Sequence, residues 1–183
     1  MQFEKQVTLK NGVACTLRSG RREDAQIVLD QLKRSHGQTD FLTSYPDENH
    51  LTVEQEGDFL DQKFQSDREI EILALVDGEL AGAAGIFPLG NRYKMAHRAD
   101  FSITVDQSFW GLGIGRALTA ACIQCARDAG YAQLELEVVA GNHNAITLYE
   151  SLGFREYGRN PKGFRSRYTG WQELVMMRLE LGA

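Results

Sequence analysis

A strand that runs directly into a glycine loop and then into a helix constrains this chain more than any other feature. The segment Arg98–Val105 alternates apolar and polar residues strictly, which predicts a strand with one buried face. Residues 109–118, F-W-G-L-G-I-G-R-A-L, place three glycines at alternate positions, and apolar residues then recur at helical spacing as far as Gly130. A helix start presents unpaired backbone N–H groups, and its dipole attracts an anion. We therefore expect residues 111–116 to bind a phosphate or pyrophosphate.

Strand-like and helical patterns alternate through the rest of the chain. Asn11-Gly12 and Asp77-Gly78 each separate two strand-like runs, so we expect two antiparallel hairpins. Residues 36–50 are polar and turn-rich, which predicts a loop that covers a substrate. The predicted strands and helices lie at residues 7–18, 22–33, 53–64, 69–87, 98–105, 118–129, 132–139, 146–152, 154–157 and 171–179. This order predicts an α/β or α+β fold in one domain, residues 1–183, with about seven strands and about four helices.

Composition and cysteine usage argue against several classes of protein. A net charge of -5 disfavours nucleic acid as a main partner. No apolar run approaches the roughly 20 residues of a membrane span, and the first residues lack signal-peptide character, so we expect a cytoplasmic protein. Cys122 and Cys125 form C-x-x-C inside a helical pattern without a second ligand pair, which favours core thiols over a redox or zinc motif. No histidine pair has metal-ligand spacing, and we expect no metal.

Two other nucleotide-binding motifs fail on spacing. A Rossmann loop requires G-x-G-x-x-G, whereas Arg116 stands where the third glycine is needed. Glu135 does lie about 20 residues further on, like the ribose-binding acid of that fold. The loop nevertheless begins too late in the chain for the remaining βα units. A P-loop is excluded because no G-K-S/T follows the glycines.

Two segments resemble the GNAT superfamily of N-acetyltransferases. The stretch V-D-Q-S-F-W-G-L-G-I-G-R-A-L at residues 105–118 is similar to its acetyl-coenzyme A signature, whose loop pattern is Q/R-x-x-G-x-G/A. The stretch L-E-V-V-A-G-N-H-N-A-I-T-L-Y-E-S-L-G-F at residues 136–154 resembles the segment that follows. The resemblance is specific over about residues 97–158 and looser across 12–180. It implies a GNAT fold, whose mixed sheet is splayed.

The resemblance also implies acetyl-coenzyme A (acetyl-CoA) as the acetyl donor. The loop would hold its pyrophosphate, and its pantetheine arm would lie between the strands that end at Val105 and Val139. The implied cofactor-binding residues are Val105, Trp110, Gly111, Leu112, Gly113, Ile114, Gly115, Arg116 and Asn142. Trp110 departs from the Gln or Arg of the pattern, which matters less because backbone N–H groups would make the phosphate contacts. Asn142 is equally expected as a helix N-cap.

Acetyl transfer to an amine needs a base, a stabilised oxyanion and a protonated leaving thiolate. An alkyl amine with a pKa of about 10.4 is mostly protonated at neutral pH, so a carboxylate or a relayed water must take a proton. Glu137 is the first candidate, because its stretch matches the one that carries the catalytic glutamate in the ribosomal-protein alanine acetyltransferase branch. Asp100, on the polar face of the neighbouring strand, is the second. The alternative for both is a surface carboxylate or an ion pair with a residue such as Arg98.

The acid and the oxyanion donor follow from the same resemblance. Tyr149 matches the tyrosine that often serves GNAT enzymes as general acid, since a phenol with a pKa of about 10 is protonated at neutral pH. Its alternative is an aromatic packed on the core. A backbone N–H near Val105 would meet the oxyanion. Residues 159–167 carry four positive charges, which suit an anionic group of the substrate or cofactor but are expected as a solvated loop.

The resemblance thus implies an N-acetyltransferase acting on a primary amine. The segments 98–105 and 170–177 look like a bacterial branch that acetylates small molecules such as amino acids. A protein N-terminus or lysine is the alternative acceptor, and a non-catalytic acyl-CoA sensor is the alternative function. A redox protein built on Cys122 and Cys125 is a third hypothesis. The apolar run at 174–177 is compatible with a homodimer and equally with the core of a monomer.

Overall fold

The computed structural model describes residues 1–182, which form one eight-stranded sheet and four α-helices. The strands are β1 (Glu4–Thr8), β2 (Ala14–Ser19), β3 (Ile70–Val76), β4 (Glu79–Pro88), β5 (Arg98–Val105), β6 (Gln133–Val139), β7 (Arg155–Ser166) and β8 (Gly170–Glu180). The helices are α1 (Ala25–Gln38), α2 (Val53–Gln65), α3 (Ile114–Asp128) and α4 (His143–Ser151). The predicted fold class is confirmed, with eight strands in place of about seven.

The sheet opens between its two central strands. The strand order is β1-β2-β3-β4-β5-β6-β8-β7, and every pair is antiparallel except β5 with β6. Those two strands pair only where Arg98, Ala99 and Asp100 face the first three residues of β6. Beyond that point β5 remains paired with β4 as far as Val105, and β6 remains paired with β8 as far as Val139. The two halves of the sheet therefore diverge and leave a wedge-shaped opening.

The helices cover the two faces of the sheet. A large core joins α3 to one face, and it includes Ala99 and Phe101 of β5. A smaller core joins α1 and α2 to the other face. Thr104 of β5 donates a hydrogen bond to Gln31 of α1, so the alternating faces predicted for β5 are confirmed. None of the helices within residues 1–182 has the length and apolar composition to cross a bilayer.

Local capping signals place the helix starts. The Thr52 side chain accepts from the Gln55 N–H, and the Gln55 side chain accepts in return from the Thr52 N–H, which is a capping box. The first helix begins at Ala25, later than the predicted residue 22, because a 3₁₀ turn occupies Arg22–Asp24. It also ends later, at Gln38, so the predicted loop at 36–50 lies at 39–52.

The expectation of a solvated loop at residues 159–167 is wrong, because most of this segment belongs to β7. β7 is an edge strand, and its register with β8 shifts between Asn160 and Phe164. Pro161 lies in this irregular stretch, where its missing N–H costs no ladder bond. Arg159 is also paired, since it binds carboxylates of both β7 and β8.

Cys15, Cys122 and Cys125 are buried and form no disulfide. Burial raises the pKa of Cys125 to about 11. Burial also raises the pKa of Cys122 well above its usual value. A thiol that stays protonated is a poor nucleophile and a poor metal ligand. The prediction of core thiols is confirmed in position, and this argues against the redox hypothesis.

Candidate functional site

Six consecutive backbone N–H groups, those of residues 111–116, donate to no acceptor within residues 1–182. The neighbouring groups are bonded, since the Trp110 N–H donates to Gln107 and the Ala117 N–H to Gly113. Gly111 and Gly113 have φ angles of 80° and 97°, which glycine adopts without a Cβ penalty. Because α3 starts at this stretch, the free donors stand at the positive end of a helix dipole. This arrangement fits an anion.

The side chains of this loop point to different neighbours. Leu112 and Ile114 pack in the core beside α3, which anchors the loop. A Cβ on Gly115 would lie 3.3 Å from a leucine of α4, so this position is narrow. Arg116 donates to the Ser151 hydroxyl at 2.6 Å, at the far end of α4. The backbone of the loop is therefore left facing outward while its side chains hold it in place.

Asp106 holds the start of the loop against α1. Its buried carboxylate accepts from the Ser108 N–H and hydroxyl, from Arg34 Nε at 3.0 Å and from Gln38 Nε2 at 3.1 Å. Burial alone would raise the pKa of Asp106, but these donors outweigh it and hold the pKa at about 2. Gln38 also accepts from the Gln107 N–H at 2.8 Å. The end of α1 and the anion-binding loop are thus one bonded unit.

We predict that Asp106→Asn destabilises the fold by about 2 kcal/mol at pH 7. A depressed pKa means that the carboxylate stabilises the folded state above the unfolded-state pKa of about 3.9, and that this stabilisation is lost as the pH falls toward 2. Denaturant unfolding from pH 7 to pH 2 measures the difference between wild type and variant. Asp30→Asn, at an exposed position of α1, is the matched control and should show no such difference. A gap that stays constant across this range would contradict the assignment.

The opening between β5 and β6 exposes main-chain groups. Asp106 N–H bonds to Ala81 C=O at 2.9 Å, so in the antiparallel alternation Val105 directs its own N–H and C=O away from β4 and toward the opening. The Val105 C=O accepts from the Trp110 indole N–H at 2.8 Å. The Val105 N–H therefore faces the opening, while Trp110 lies beside it with half of its surface exposed.

Tyr149 lies at the same opening on the α3 and α4 face. Its ring is edge-on to Phe101, with centroids 6.1 Å apart, and tilted against Phe154 at 5.8 Å. Burial raises the pKa of Tyr149 to about 12. The hydroxyl has no hydrogen-bond partner within residues 1–182, and it is not among the polar atoms sealed from solvent. Asn142 accepts from the Ala145 N–H at 3.3 Å, as expected of the N-cap of α4.

The opposite face of the opening carries three carboxylates. Asp100 and Glu135 are register partners, and Glu137 follows two residues later on the same face. Arg98 binds Glu135 through two bonds, one of them 2.7 Å long, and lowers the pKa of Glu135. The Tyr157 hydroxyl donates to the same carboxylate at 3.1 Å. Arg98 therefore pairs with Glu135. It forms an ion pair with neither Asp100 nor Glu137, which was the alternative expected for those two residues.

Asp100 and Glu137 have no cationic partner within residues 1–182. Burial, followed by the nearby charge of Glu137, raises the pKa of Asp100 to about 6. Glu137 itself is exposed, and Met176 lies opposite it on β8. This pair offers a basic, negatively charged position at the mouth of the opening, suited to an amine.

Residues 39–52 are fastened to the turn between β7 and β8. The Tyr45 hydroxyl donates to Asp40 at 3.0 Å and accepts from the Arg167 N–H at 2.7 Å. The Arg167 guanidinium pairs with two acidic residues of the loop and stacks on the Tyr45 ring at 4.2 Å. Phe41 reaches to 3.8 Å from the point where a Cβ on Gly141 would stand. The loop thus closes over the end of β6.

Sequence reasoning missed the roles of Glu135, Tyr157 and Arg167. The alternation in β6 does place Glu135 and Glu137 on one face, which was a usable signal. Their different surroundings depend on Arg98 and Tyr157, which belong to neighbouring strands. No local pattern predicts that Arg167 binds the loop at 39–52.

Comparisons with known proteins agree with this geometry. The profile of the Acetyltransferase (GNAT) family matches residues 35–154. A mycothiol acetyltransferase of Acidothermus cellulolyticus is 33% identical over 171 residues, which cover 83% of this chain and 47% of that protein. A ribosomal-protein alanine N-acetyltransferase of Escherichia coli is 50% identical over 56 residues, which cover 31% of this chain and 38% of that protein. The chain spans about half or less of the length of these relatives.

Among solved structures, a GNAT-family acetyltransferase of Streptococcus pneumoniae is similar over nearly its whole length. The TM-score is 0.87 at 28% sequence identity, and the match covers 91% of this chain and 99% of that chain. The divided sheet and its four helices therefore have a close structural counterpart.

Proposed function

Because the chain belongs to the Acetyltransferase (GNAT) family, we propose that it transfers the acetyl group of acetyl-CoA to a primary amine. The observation that carries the proposal is the row of six free N–H donors at residues 111–116, beside the opening between β5 and β6. Tyr149 lies on one face of this opening, and Asp100 and Glu137 on the other. We propose further that residues 1–183 are one catalytic domain, which the unbroken sheet from β1 to β8 supports.

Different groups of the chain would bind different parts of acetyl-CoA. Residues 111–116 would hold the pyrophosphate through their N–H groups. Main-chain groups of β5 and β6 that face the opening would bond the pantetheine arm, and Trp110 would line its path. Acetyl-CoA supplies the thioester whose carbonyl carbon accepts the amine. The Val105 N–H, directed into the opening, would stabilise the negative charge that develops on the carbonyl oxygen.

The proton of the amine would leave toward the carboxylate face. We assign Glu137 as the base, since it is exposed at the mouth of the opening and faces no cation. Asp100, with a pKa of about 6, is largely ionised at pH 7 and adds negative charge beside Glu137. The combined negative charge of the two carboxylates would attract a cationic amine to this position, where Glu137 can accept its proton.

Tyr149 would donate a hydrogen bond to the departing sulfur. Its hydroxyl stays protonated at neutral pH because the pKa of Tyr149 is about 12. A thiol has a pKa of about 8.5, well below that of Tyr149. The phenol would therefore stabilise the departing thiolate as a hydrogen-bond donor and keep its own proton.

A small amine is the acceptor that we propose, with a peptide N-terminus as the alternative. The loop at 39–52, which is fastened to Arg167 and lies beside Gly141 just after β6, would limit the size of an acceptor. Mycothiol acetyltransferase, a relative similar over most of this chain, also favours a small molecule. The ribosomal-protein alanine N-acetyltransferase, similar over a shorter segment, favours the peptide.

Calorimetry with coenzyme A, followed by thiol release from acetyl-CoA with a panel of amines, tests the proposal. We expect binding by the wild type and turnover with at least one amino acid, polyamine or peptide N-terminus. Binding without turnover for every amine would indicate the acyl-CoA sensor, and absence of binding would overturn the cofactor assignment.

Gly113→Ala is expected to weaken coenzyme A binding by about tenfold or more, because a Cβ at a φ of 97° distorts the start of α3. Gly170→Ala is the matched control. Gly170 also has a positive φ, of 76°, and open space around it, but it is the first residue of β8 and no part of the loop at residues 111–116. Both variants carry similar backbone strain, so only the first should lose affinity.

A further inference from the structure

The β1–β2 hairpin contacts the anion-binding loop, although it belongs to the start of the chain. The Lys10 N–H donates to the Leu112 C=O at 3.1 Å. Leu9, the preceding residue, is buried in the core on which Leu112 also packs. The turn of the hairpin is thereby held against the loop at residues 111–116 by one backbone bond and by shared apolar packing.

The Lys10 side chain starts beside the loop. Its Cγ lies 3.8 Å from the point where a Cβ on Gly113 would stand. Lys10 is exposed and forms no ion pair with a carboxylate within residues 1–182. Asp106, the acidic residue nearest in sequence to residues 111–116, is already paired with Arg34. A cation without a partner therefore stands beside a row of free N–H donors.

The cations near the loop differ in what binds them. Arg116 bonds to Ser151 on the α4 side. Lys10 approaches from the hairpin side, and its side chain donates no hydrogen bond to residues 1–182. In a chain of net charge -5, a free ammonium at this position offsets the general repulsion of a multiply charged anion.

We propose that Lys10 is a charged contact to the diphosphate held by residues 111–116, which makes the β1–β2 hairpin part of the cofactor site. The inference rests on the proposed function for the presence of coenzyme A. The backbone N–H groups supply oriented hydrogen bonds, and Lys10 adds a full positive charge whose attraction depends on salt.

Calorimetry with coenzyme A at low and high salt tests the proposal on the full chain. We expect Lys10→Ala to raise the Kd about fivefold at low salt, the effect of one exposed charge contact of about 1 kcal/mol, and to make the Kd less dependent on salt. Lys10→Glu should raise it further. Lys5→Ala, on β1 of the same hairpin and also exposed, is the matched control and should bind like the wild type.

The same measurement with 3′-dephospho-coenzyme A identifies the phosphate involved. The loss caused by Lys10→Ala should persist with this ligand, because the diphosphate is still present. Disappearance of the loss would place Lys10 on the 3′-phosphate and overturn the proposal, as would wild-type affinity in Lys10→Ala. If the wild type itself failed to bind, the proposed function would fall first, so the two failures are distinguishable.

Discussion

Tyr149→Phe is expected to lower kcat by about 100-fold, the lower end of the range for a positioned acid, while the Kd for coenzyme A changes less than about twofold. The substitution removes only the hydroxyl, which has no protein partner within residues 1–182. The ring keeps its contacts with Phe101 and Phe154, so folding stability should be nearly unchanged. A pKa of about 12 makes Tyr149 a hydrogen-bond donor to the thiolate, and this is why we expect the smaller effect.

Steady-state thiol release measures kcat, and calorimetry measures the Kd. Tyr93→Phe is the control, because Tyr93 is almost fully exposed in the loop between β4 and β5. A kcat for Tyr149→Phe within threefold of the wild type would show that the tyrosine only packs against the core.

Glu137→Gln is expected to lower kcat/KM by about 100-fold or more, since it removes the proposed base. Asp100→Asn should act differently. Asp100 is protonated below its pKa of about 6 and ionised above it, so the wild-type kcat/KM should rise as the pH passes 6 and Asp100 adds negative charge beside the cationic amine. In Asp100→Asn this rise should vanish, with a loss of less than about tenfold at pH 7.

A pH–rate profile from pH 5 to 9 distinguishes the two roles. The residual activity of Glu137→Gln should rise at a lower pH than that of the wild type, because the charge of Glu137, which helps to raise the pKa of Asp100, has been removed. Glu173→Gln, on the strand that neighbours β6, is the control for loss of one charge and should keep the wild-type profile. If Asp100→Asn lost as much activity as Glu137→Gln, Asp100 would be the base.

Much of the fold could be predicted because its signals are local. Alternation in Arg98–Val105 assigned both faces of β5 correctly, since side chains alternate across any strand. Asn11-Gly12 and Asp77-Gly78 predicted two antiparallel hairpins, which the structure confirms. Only the start of β7 was predicted, at 154–157, because the charged sequence that follows has no alternation and its pairing depends on β8.

The candidate site also has features that the sequence predicted and features that it did not. Glycine spacing and the helix start predicted a row of free N–H groups at 111–116, and the structure has that row. The pairing of Arg98 with Glu135, which leaves Asp100 and Glu137 without a cation, could not be predicted. It depends on which strands are neighbours in the sheet, and no pattern within one strand specifies its neighbour.

By itself, the sequence determined where strands, turns and helix caps lie, and that residues 111–116 would present unpaired donors. These features depend on backbone geometry and on side chains a few residues apart. Only the tertiary structure decided that Lys10 lies beside Gly113, that Asp106 joins α1 to the loop, and that Tyr149 and Glu137 lie on opposite faces of one opening. Those placements arise from packing between distant segments, whose side chains acquire common neighbours only after the sheet has formed.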